Sequence, residues 1–206
     1  MGRPLETLSA EQDAALAKVS GLVGDAYFLV GGVAVAARFH HRVSHDLDVF
    51  TCSADPDDLA DALAQAEGVR ITGRAKSTVH MEVDGIPTSL IRYAYPLLSE
   101  SENLPGIPMP VASVRDLVAM KLSAVANRGA ARDFWDLHTM LLGRSISMQD
   151  ALALFGRKFA SHDVGHVVRA LCYFDDANAA PLPRGLDGGH WQVICNDFRR
   201  WVLALQ

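Results

Sequence analysis

Two aspartates, Asp46 and Asp48, lie one residue apart in an apolar segment, FLVGGVAVAARFHHRVSHDLDVF, that covers residues 28–50. In a strand, residues i and i+2 point to the same face, so we expect both carboxylates to project together while Leu47 and Val49 face the core. We also expect apolar neighbours to bury the pair, and like charges this close repel unless a cation neutralises them. Mg²⁺ prefers oxygen ligands, typically one or two carboxylates plus substrate phosphates. The pair therefore predicts a magnesium site of the kind used in phosphoryl or nucleotidyl transfer.

Two glycines, Gly31 and Gly32, separate a predicted strand, AYFLV, from a predicted helix, VAVAARFH. Without side chains there, backbone N–H groups can approach a phosphate, and the N-terminal dipole of the helix favours its charge. Arg42 and Ser44, shortly before the aspartates, can add a cation and a hydroxyl. These groups meet if the two strands are neighbours in a sheet. A surface Asp pair and an unrelated tight turn explain either motif alone, but together they favour a nucleotide site.

A second group of charged residues lies in a helical part of the chain. Lys121 and Arg128 are seven positions apart and therefore lie on one helix face. Arg132 and Asp136 are four apart and are spaced for an ion pair, and Asp133 stands one position off that face. Charged residues in an apolar helix are typical of its solvated side, and that interpretation alone explains the spacing.

The elements predict an α+β fold with a mixed sheet, followed by an all-helical region. Ser9 is a typical N-cap for a first helix, and Asp84-Gly85 predicts a hairpin between STVHMEV and IPTSLIRY. The proline-rich segment YPLLSESENLPGIPMP is the predicted linker. Five helices are expected after it, with the sequences SVRDLVAMKLSAVANRG, ARDFWDLHTMLLG, SMQDALALFGRKF, DVGHVVRALCYF and WQVICNDFRRWVLAL. We therefore place a domain boundary between residues 1–111 and 112–206.

The composition limits the class of protein. The 206 residues are 50% hydrophobic and carry a net charge of −5, which does not favour general nucleic-acid binding. Three widely spaced cysteines indicate free thiols rather than a metal site. We find no signal peptide and no apolar run of the ~18 residues that a membrane span needs, so a cytoplasmic protein without membrane association is expected.

The motif FLVGG followed by HRVSHDLDVF resembles the signature of DNA polymerase β-type nucleotidyltransferases. Together with YPLL and KLSAVANRGAARDFWDL, it is similar to the AbiEii/AbiGii toxins, nucleotidyltransferases of bacterial type IV toxin–antitoxin systems. The resemblance covers roughly Tyr27 to Leu142. It implies a polymerase β-like nucleotidyltransferase core with a mixed sheet over residues 1–111 and a helical C-terminal domain over 112–206.

The resemblance also implies a function. Such an enzyme moves a nucleoside monophosphate (NMP) from a nucleoside triphosphate (NTP) to an acceptor, such as a tRNA 3′ end or a protein hydroxyl, with Mg²⁺ as cofactor and a cognate antitoxin as partner. Asp46 and Asp48 then hold the metal. By the same resemblance Lys121 binds triphosphate oxygens with the help of Arg128, and Asp133 acts as general base or orients Lys121.

One position departs from the pattern of the superfamily. Polymerase β-type enzymes commonly carry a third carboxylate on a later strand, where this chain has Thr88 and Ser89 in IPTSLIRY. Glu82 and Asp84 fall on the preceding strand and its turn. Either Asp133 substitutes for the missing acid, which we favour, or the chain is a non-catalytic nucleotide- or protein-binding module. A phosphotransferase using the same metal site is the remaining alternative.

Overall fold

The structure is a computed structural model and describes residues 8–161 and 163–205. The chain folds into two compact units, the first ending at Ser113 and the second beginning at Val114. That the segments 1–111 and 112–206 fold as independent domains stays a prediction. In the described ranges, no helix combines the length and the apolar character that crossing a membrane requires.

The first unit contains the predicted sheet and helices. Its helices are α1 (Ala10–Val23), α2 (Gly31–Phe39) and α3 (Ala60–Gln65), with a 3-10 turn at Pro56–Leu59 before α3. Its strands are β1 (Tyr27–Val30), β2 (Leu47–Thr51), β3 (Val69–Ala75), β4 (Thr78–Val83) and β5 (Ile86–Arg92).

The strands of the described residues form one five-stranded sheet in the order β1-β2-β5-β4-β3. Strands β2 and β5 run parallel, whereas the other neighbouring pairs are antiparallel. Asp84 and Gly85 connect β4 to β5 with φ angles of 48° and 84°, the left-handed values of a tight hairpin turn. The predicted α+β class with a mixed sheet is confirmed.

The sheet has one buried and one more open face. Alternate residues of the central strands are buried, namely Leu47, Val49, Val79, Met81, Thr88 and Leu90. Helix α1 packs against β4 and β5, and helix α2 packs against β1 and β2. The open face is formed by the residues between the buried ones, which are half-buried or exposed: Asp48, Phe50, Thr78, His80, Ser89 and Ile91. Functional groups can be presented there without disrupting the core.

The second unit is helical. Its helices are α4 (Val114–Arg128), α5 (Ala131–Gly143), α6 (Met148–Phe159), α7 (Gly165–Ala170), α8 (Asp175–Asn178) and α9 (Gly188–Leu203). The single helix expected over DVGHVVRALCYF is wrong beyond Ala170, because the chain turns there. Phe174 then packs its ring 5.1 Å from that of Phe134 and 5.9 Å from that of Trp191. Tertiary packing of the aromatic side chain thus overrides the local helical pattern.

Buried ion pairs join the helices of this unit. Lys158 on α6 donates to Asp116 on α4 at 2.6 Å, and both side chains are fully buried. Asp133 on α5, also fully buried, lies 3.2 Å from Lys121 and 2.7 Å from Arg128, both on α4. Burial favours the neutral form of Asp133, but the hydrogen bonds from Arg128 and the charge of Lys121 outweigh it. The pKa of this carboxyl therefore lies below its usual value.

We expect Asp133→Asn to lower the free energy of unfolding at pH 7 by about 3 kcal/mol, since it breaks a buried ion pair. A lowered folded-state pKa contributes stability that is present above the unfolded-state pKa of about 3.9 and is lost as the pH falls through the folded value. The difference between wild type and variant should therefore shrink below about pH 4. Urea unfolding at pH 7, 5 and 3 measures it.

The matched control is Asp176→Asn, because Asp176 is exposed on α8. It should change the free energy of unfolding by less than about 0.5 kcal/mol at each pH. A destabilisation by Asp133→Asn that stays constant from pH 7 to pH 3 would contradict the lowered pKa of Asp133 in the folded protein.

Candidate active site

The glycine pair forms the first turn of α2 directly after β1. Strands β1 and β2 are antiparallel neighbours, with Val30 opposite Asp48. Gly31 has a φ of +70°, and a Cβ atom at this position would overlap Oδ2 of Asp48. The carboxylate therefore packs against the bare backbone of Gly31, an approach that an L side chain would block.

The second glycine brings the predicted hydroxyl and cation to the same turn. A Cβ atom on Gly32 would collide with Oγ of Ser44 and would lie 2.5 Å from Nη2 of Arg42. Arg42 is only 7% exposed, and its Nη1 donates to the carbonyl oxygen of Val43 at 3.0 Å. Its guanidinium thus places a buried positive charge beside the glycine turn, next to the hydroxyl of Ser44.

Gln12 on α1 fixes the segment that carries Ser44. It forms a capping box with Ser9, and its Nε2 donates to the carbonyl oxygens of Ser44 at 2.7 Å and His45 at 3.1 Å. Gln12 is 3% exposed, so these bonds are shielded from water. The pattern Ser9-x-x-Gln12 signals a helix cap, but it gives no sign of the contact 32 residues away.

The two aspartates differ in their surroundings. Asp48 is half-buried within β2, whereas Asp46 is exposed and directly precedes the first residue of that strand. The expectation that apolar neighbours bury both carboxylates is therefore wrong for Asp46, because the sheet pairing begins only at Leu47. A hydrated carboxylate beside a partly buried one leaves oxygen atoms accessible to a cation.

The donor set fits a hard cation that shares its ligands with a substrate. Within residues 8–161 and 163–205, no group of three or more His, Cys, Asp or Glu side chains is arranged to hold a metal ion by itself. Mg²⁺ commonly uses one or two carboxylates and completes its shell with water and phosphate oxygens. Asp46 and Asp48 are two carboxylates of this kind, and Asp48 lies against the glycine turn.

A second candidate cluster lies between α4 and α5 of the helical unit. Nζ of Lys121 is 2.7 Å from Oδ2 of Asp136 and 3.2 Å from Oδ1 of Asp133, and both aspartates are fully buried. Arg128 donates to both oxygens of Asp133 at 2.7 Å. Asp136, for which the four-residue spacing predicted a pairing with Arg132, pairs with Lys121 of the neighbouring helix. Helix–helix packing, rather than spacing along one helix, selects the partner.

The strand expected to carry a third carboxylate has serine at the corresponding place. In the parallel pairing of β2 with β5, Ser89 lies opposite Asp48 and Thr88 lies opposite Leu47. Thr88 is buried, and its hydroxyl donates to the carbonyl oxygen of Ile86 at 3.1 Å. Ser89 belongs to the open face, and its hydroxyl contacts His80 on the next strand.

An aromatic row near Asp48 was not predicted from the sequence. Phe50, two residues after Asp48 on the open face, lies with its ring 4.9 Å from that of Tyr93. Tyr95 follows at 5.2 Å in an edge-on contact and is 42% exposed. The alternating spacing of Tyr93 and Tyr95 after β5 was the available signal, but only the pairing of β2 with β5 brings them to Phe50.

Comparisons with known proteins match most of the chain. The family described as "Nucleotidyl transferase AbiEii toxin, Type IV TA system" matches residues 60–200. The match begins after Asp48 and includes the Lys121 cluster, so it extends beyond the segment 27–142 on which the resemblance rests. An uncharacterized protein of Aquifex aeolicus (strain VF5) is 32% identical over 202 residues, which are 96% of this chain and 97% of that protein.

Solved structures support the fold. MenT4, a nucleotidyltransferase toxin from Mycobacterium tuberculosis H37Rv, aligns with a TM-score of 0.68 at 19% identity, over 95% of this chain and 82% of that chain. The antibiotic-resistance factor ANT(2″)-Ia aligns with a TM-score of 0.52 at 12% identity, over 72% and 88%. The fold is that of polymerase β-like nucleotidyltransferases. With the family match over most of its length, the chain belongs to the AbiEii family of nucleotidyltransferase toxins of type IV toxin–antitoxin systems.

Proposed function

We propose that this nucleotidyltransferase moves an NMP from an NTP to an acceptor hydroxyl, with Mg²⁺ held by Asp46 and Asp48. The observation that carries the proposal is the packing of the Asp48 carboxylate against Gly31 at the start of α2. An anion pressed against a glycine turn is placed to share a cation with phosphates bound at that turn. When bound, Mg²⁺ would neutralise both carboxylates and the triphosphate oxygens.

The residues around the turn bind and orient the nucleotide. The N–H groups of Gly31 and Gly32 open the nine-residue helix α2, where the positive end of the helix dipole favours a phosphate. The buried guanidinium of Arg42 adds a fixed positive charge, and the Ser44 hydroxyl adds a hydrogen-bond donor. Because Gln12 holds the backbone at Ser44, this donor is fixed before the nucleotide arrives.

We further propose that Lys121 places its charge on the phosphates of the nucleotide, as the family resemblance implies. Asp133 and Asp136 hold its ammonium group from two directions and would orient it. Of the two roles considered for Asp133, orientation is the better supported. A carboxylate that accepts hydrogen bonds from Lys121 and Arg128 and whose pKa is lowered is a weak base. Arg128 then acts by holding Asp133.

The acceptor that we favour is an RNA end with unstacked bases, such as a tRNA 3′ end, rather than a protein hydroxyl. The aromatic row of Phe50, Tyr93 and Tyr95 begins two residues from Asp48, and the exposed ring of Tyr95 would let a base stack there. Base–aromatic stacking contributes about 1–3 kcal/mol per base and tolerates different sequences. The family implies an NTP substrate and a cognate antitoxin as the regulatory partner.

Incubation with each α-³²P-labelled NTP, Mg²⁺ and total tRNA tests the proposal. We expect label transfer to RNA, and Asp48→Asn should reduce the initial rate about 1,000-fold, because neutralising a metal ligand removes several kcal/mol of transition-state stabilisation. Asp25→Asn is the matched control, since Asp25 is exposed in the turn before β1, and it should transfer at the wild-type rate.

Other outcomes separate the alternatives. Tight NTP binding without transfer to RNA or protein would indicate a binding module. Transfer of label from γ-³²P-NTP, but not from α-³²P-NTP, would indicate a phosphotransferase. Equal transfer by Asp48→Asn and wild type would contradict the assignment of the metal ligand.

Two glycines with similar φ angles test the contact at the turn. Gly31→Ala should reduce transfer at least about 100-fold, because the new Cβ displaces the Asp48 carboxylate. Gly24→Ala is the control, since Gly24 has a φ of +74° but a Cβ there would meet no described atom within 4 Å. Both substitutions place a side chain at a positive φ, which costs about 1–3 kcal/mol of backbone strain. Initial rates and thermal midpoints are measured for both variants. We expect both thermal midpoints to fall, but only Gly31→Ala should lose transfer. Equal transfer rates for the two variants would contradict the role of the contact between Gly31 and Asp48.

A further inference from the structure

The order of the strands gives Asp48 two different sides. On one side lies the glycine turn that follows β1, and the Asp48 carboxylate packs against Gly31 there. On the other side, the pairings place Ser89 of β5 opposite Asp48, and His80 of β4 opposite Ser89. In phosphoryl transfer the attacking and leaving oxygens are roughly in line. With the triphosphate at the glycine turn, the acceptor would therefore approach from the side of Ser89 and His80.

The ring of His80 presents its second nitrogen to the far side of the sheet. Nδ1 lies 3.0 Å from Oγ of Ser89 on β5. Toward β3, the residue paired with His80 is Gly73, and a Cβ atom there would lie 3.8 Å from Cδ2, the ring carbon bonded to Nε2. Nε2 therefore points toward β3 and away from Asp48. Of the described atoms, only Cβ and Cδ2 of His80 lie within 4 Å of that Cβ position, so the missing side chain leaves space beside Nε2.

The contact with Ser89 makes Nε2 a donor to an anion. When the Ser89 hydroxyl donates to Nδ1 of the neutral ring, the hydrogen of the ring is on Nε2. When the ring is protonated, both nitrogens carry a hydrogen and Nδ1 donates to Ser89. In both forms Nε2–H can donate to a phosphate oxygen. A bound phosphate would favour these forms over the neutral form that carries its hydrogen on Nδ1.

The surroundings of His80 are accessible and suit a negative charge. His80 is exposed, and strands are about 4.8 Å apart, so its backbone is roughly 10 Å from that of Asp48. Glu82, two residues along the same face of β4, is paired with Arg70 of β3 at 2.5 Å, which offsets its negative charge. Lys76, exposed in the turn between β3 and β4, adds a positive charge to the hairpin. This position is outside the reacting centre but within the length of a bound nucleic-acid chain.

We propose that His80 and Gly73 form a subsite for a backbone phosphate of the acceptor RNA, upstream of the nucleotide whose hydroxyl reacts. The inference rests on the proposed function and states how the RNA is held there. Nε2 of His80 donates to a phosphate oxygen, Ser89 fixes the ring, and Gly73 leaves room for the phosphate. Contacts of this kind position a nucleic acid without reading its sequence.

The subsite and the aromatic row would bind different parts of the same RNA. Phe50 and Tyr93 lie farther along β2 and β5 from Asp48, whereas His80 lies across the strands from it. Rings favour stacking with bases, and a ring N–H favours an anionic oxygen. An unpaired RNA end exposes both its bases and its phosphates, so it can use both surfaces at once.

Binding of a fluorescein-labelled, single-stranded 2′-O-methyl hexaribonucleotide to the full chain tests the subsite without catalysis. Each phosphate is replaced in turn by a neutral methylphosphonate, and fluorescence anisotropy gives the Kd. In the wild type, one replacement should weaken binding about tenfold more than the others, because it removes a hydrogen bond to a charged group. His80→Ala should bind the unmodified RNA about tenfold more weakly than wild type, and that replacement should then have no larger effect than the others.

Two further variants separate the subsite from a general loss of structure. Gly73→Leu keeps His80 but fills the space beside Nε2, so it should reproduce the loss at the same phosphate. His190→Ala is the matched control, because His190 is an exposed histidine of α9, and it should bind every RNA as the wild type does. Thermal midpoints close to that of wild type establish that each variant is folded. If His80→Ala is unfolded, Gly73→Leu takes its place in the comparison.

Transfer of label to tRNA provides a second measurement. His80→Ala should lower kcat/KM for tRNA about tenfold, mainly through KM, because the subsite binds the RNA equally before and during the reaction. The assay contains Mg²⁺, the α-³²P-labelled NTP that wild type uses and a range of tRNA concentrations.

The outcomes distinguish this inference from the proposed function. A loss at one phosphate in wild type that disappears in His80→Ala supports the subsite. The subsite is overturned if wild type does not bind the RNA, if no phosphate stands out, or if the loss is equal in both proteins. A fall in kcat at unchanged KM also overturns it. If the phosphate effect depends on His80 but wild type transfers no label to RNA or protein, the proposed function fails and the RNA contact remains.

Discussion

The contact between the Asp48 carboxylate and the backbone of Gly31 is the constraint on which the rest of the site depends. Strand pairing places Asp48 opposite Val30, the residue before Gly31, and the carboxylate lies where a Cβ of residue 31 would stand. The positive φ of Gly31 adds a second reason for glycine at this position. A negative charge is thereby held at the positive end of α2, where phosphates also bind most favourably. A cation between the carboxylate and a bound phosphate would offset the repulsion between these two anions.

The charged groups of the chain fall into two classes with different physical roles. Asp46 is exposed, so it would bind a cation without leaving a buried environment. Asp133 and Asp136 are fully buried and lie 3.2 Å and 2.7 Å from the ammonium group of Lys121, which fixes the position of this positive charge. A preorganised charge stabilises a developing anion without reorganising during the reaction. The exposed carboxylate thus suits an exchangeable ligand, whereas the buried carboxylates suit a fixed position for the charge of Lys121.

Much of the arrangement around the glycine turn was predictable, because its residues are close in sequence. A strand, a glycine pair, a helix and a second strand leave few ways to place Gly31, Gly32 and Asp48 other than together. The hairpin at Asp84-Gly85 also fixed the pairing of His80 with Ser89, so that pair could have been found. The position of this pair beside Asp48 could not have been found, because the parallel pairing of β2 with β5 joins distant segments without a turn that sets the register. The same reason explains why Gln12 and the partner of Asp136 were missed: both contacts depend on how separate elements pack.

The central claim is that Asp46 and Asp48 bind a divalent cation together with a nucleotide. Electron paramagnetic resonance of Mn²⁺, a substitute for Mg²⁺, tests it directly in the presence and absence of a non-hydrolysable NTP analogue. The account predicts weak Mn²⁺ binding to the wild-type chain, at least about tenfold tighter binding when the analogue is present, and loss of this gain in Asp48→Asn. Mn²⁺ binding that is unaffected by the analogue, or that persists unchanged in Asp48→Asn, would contradict it.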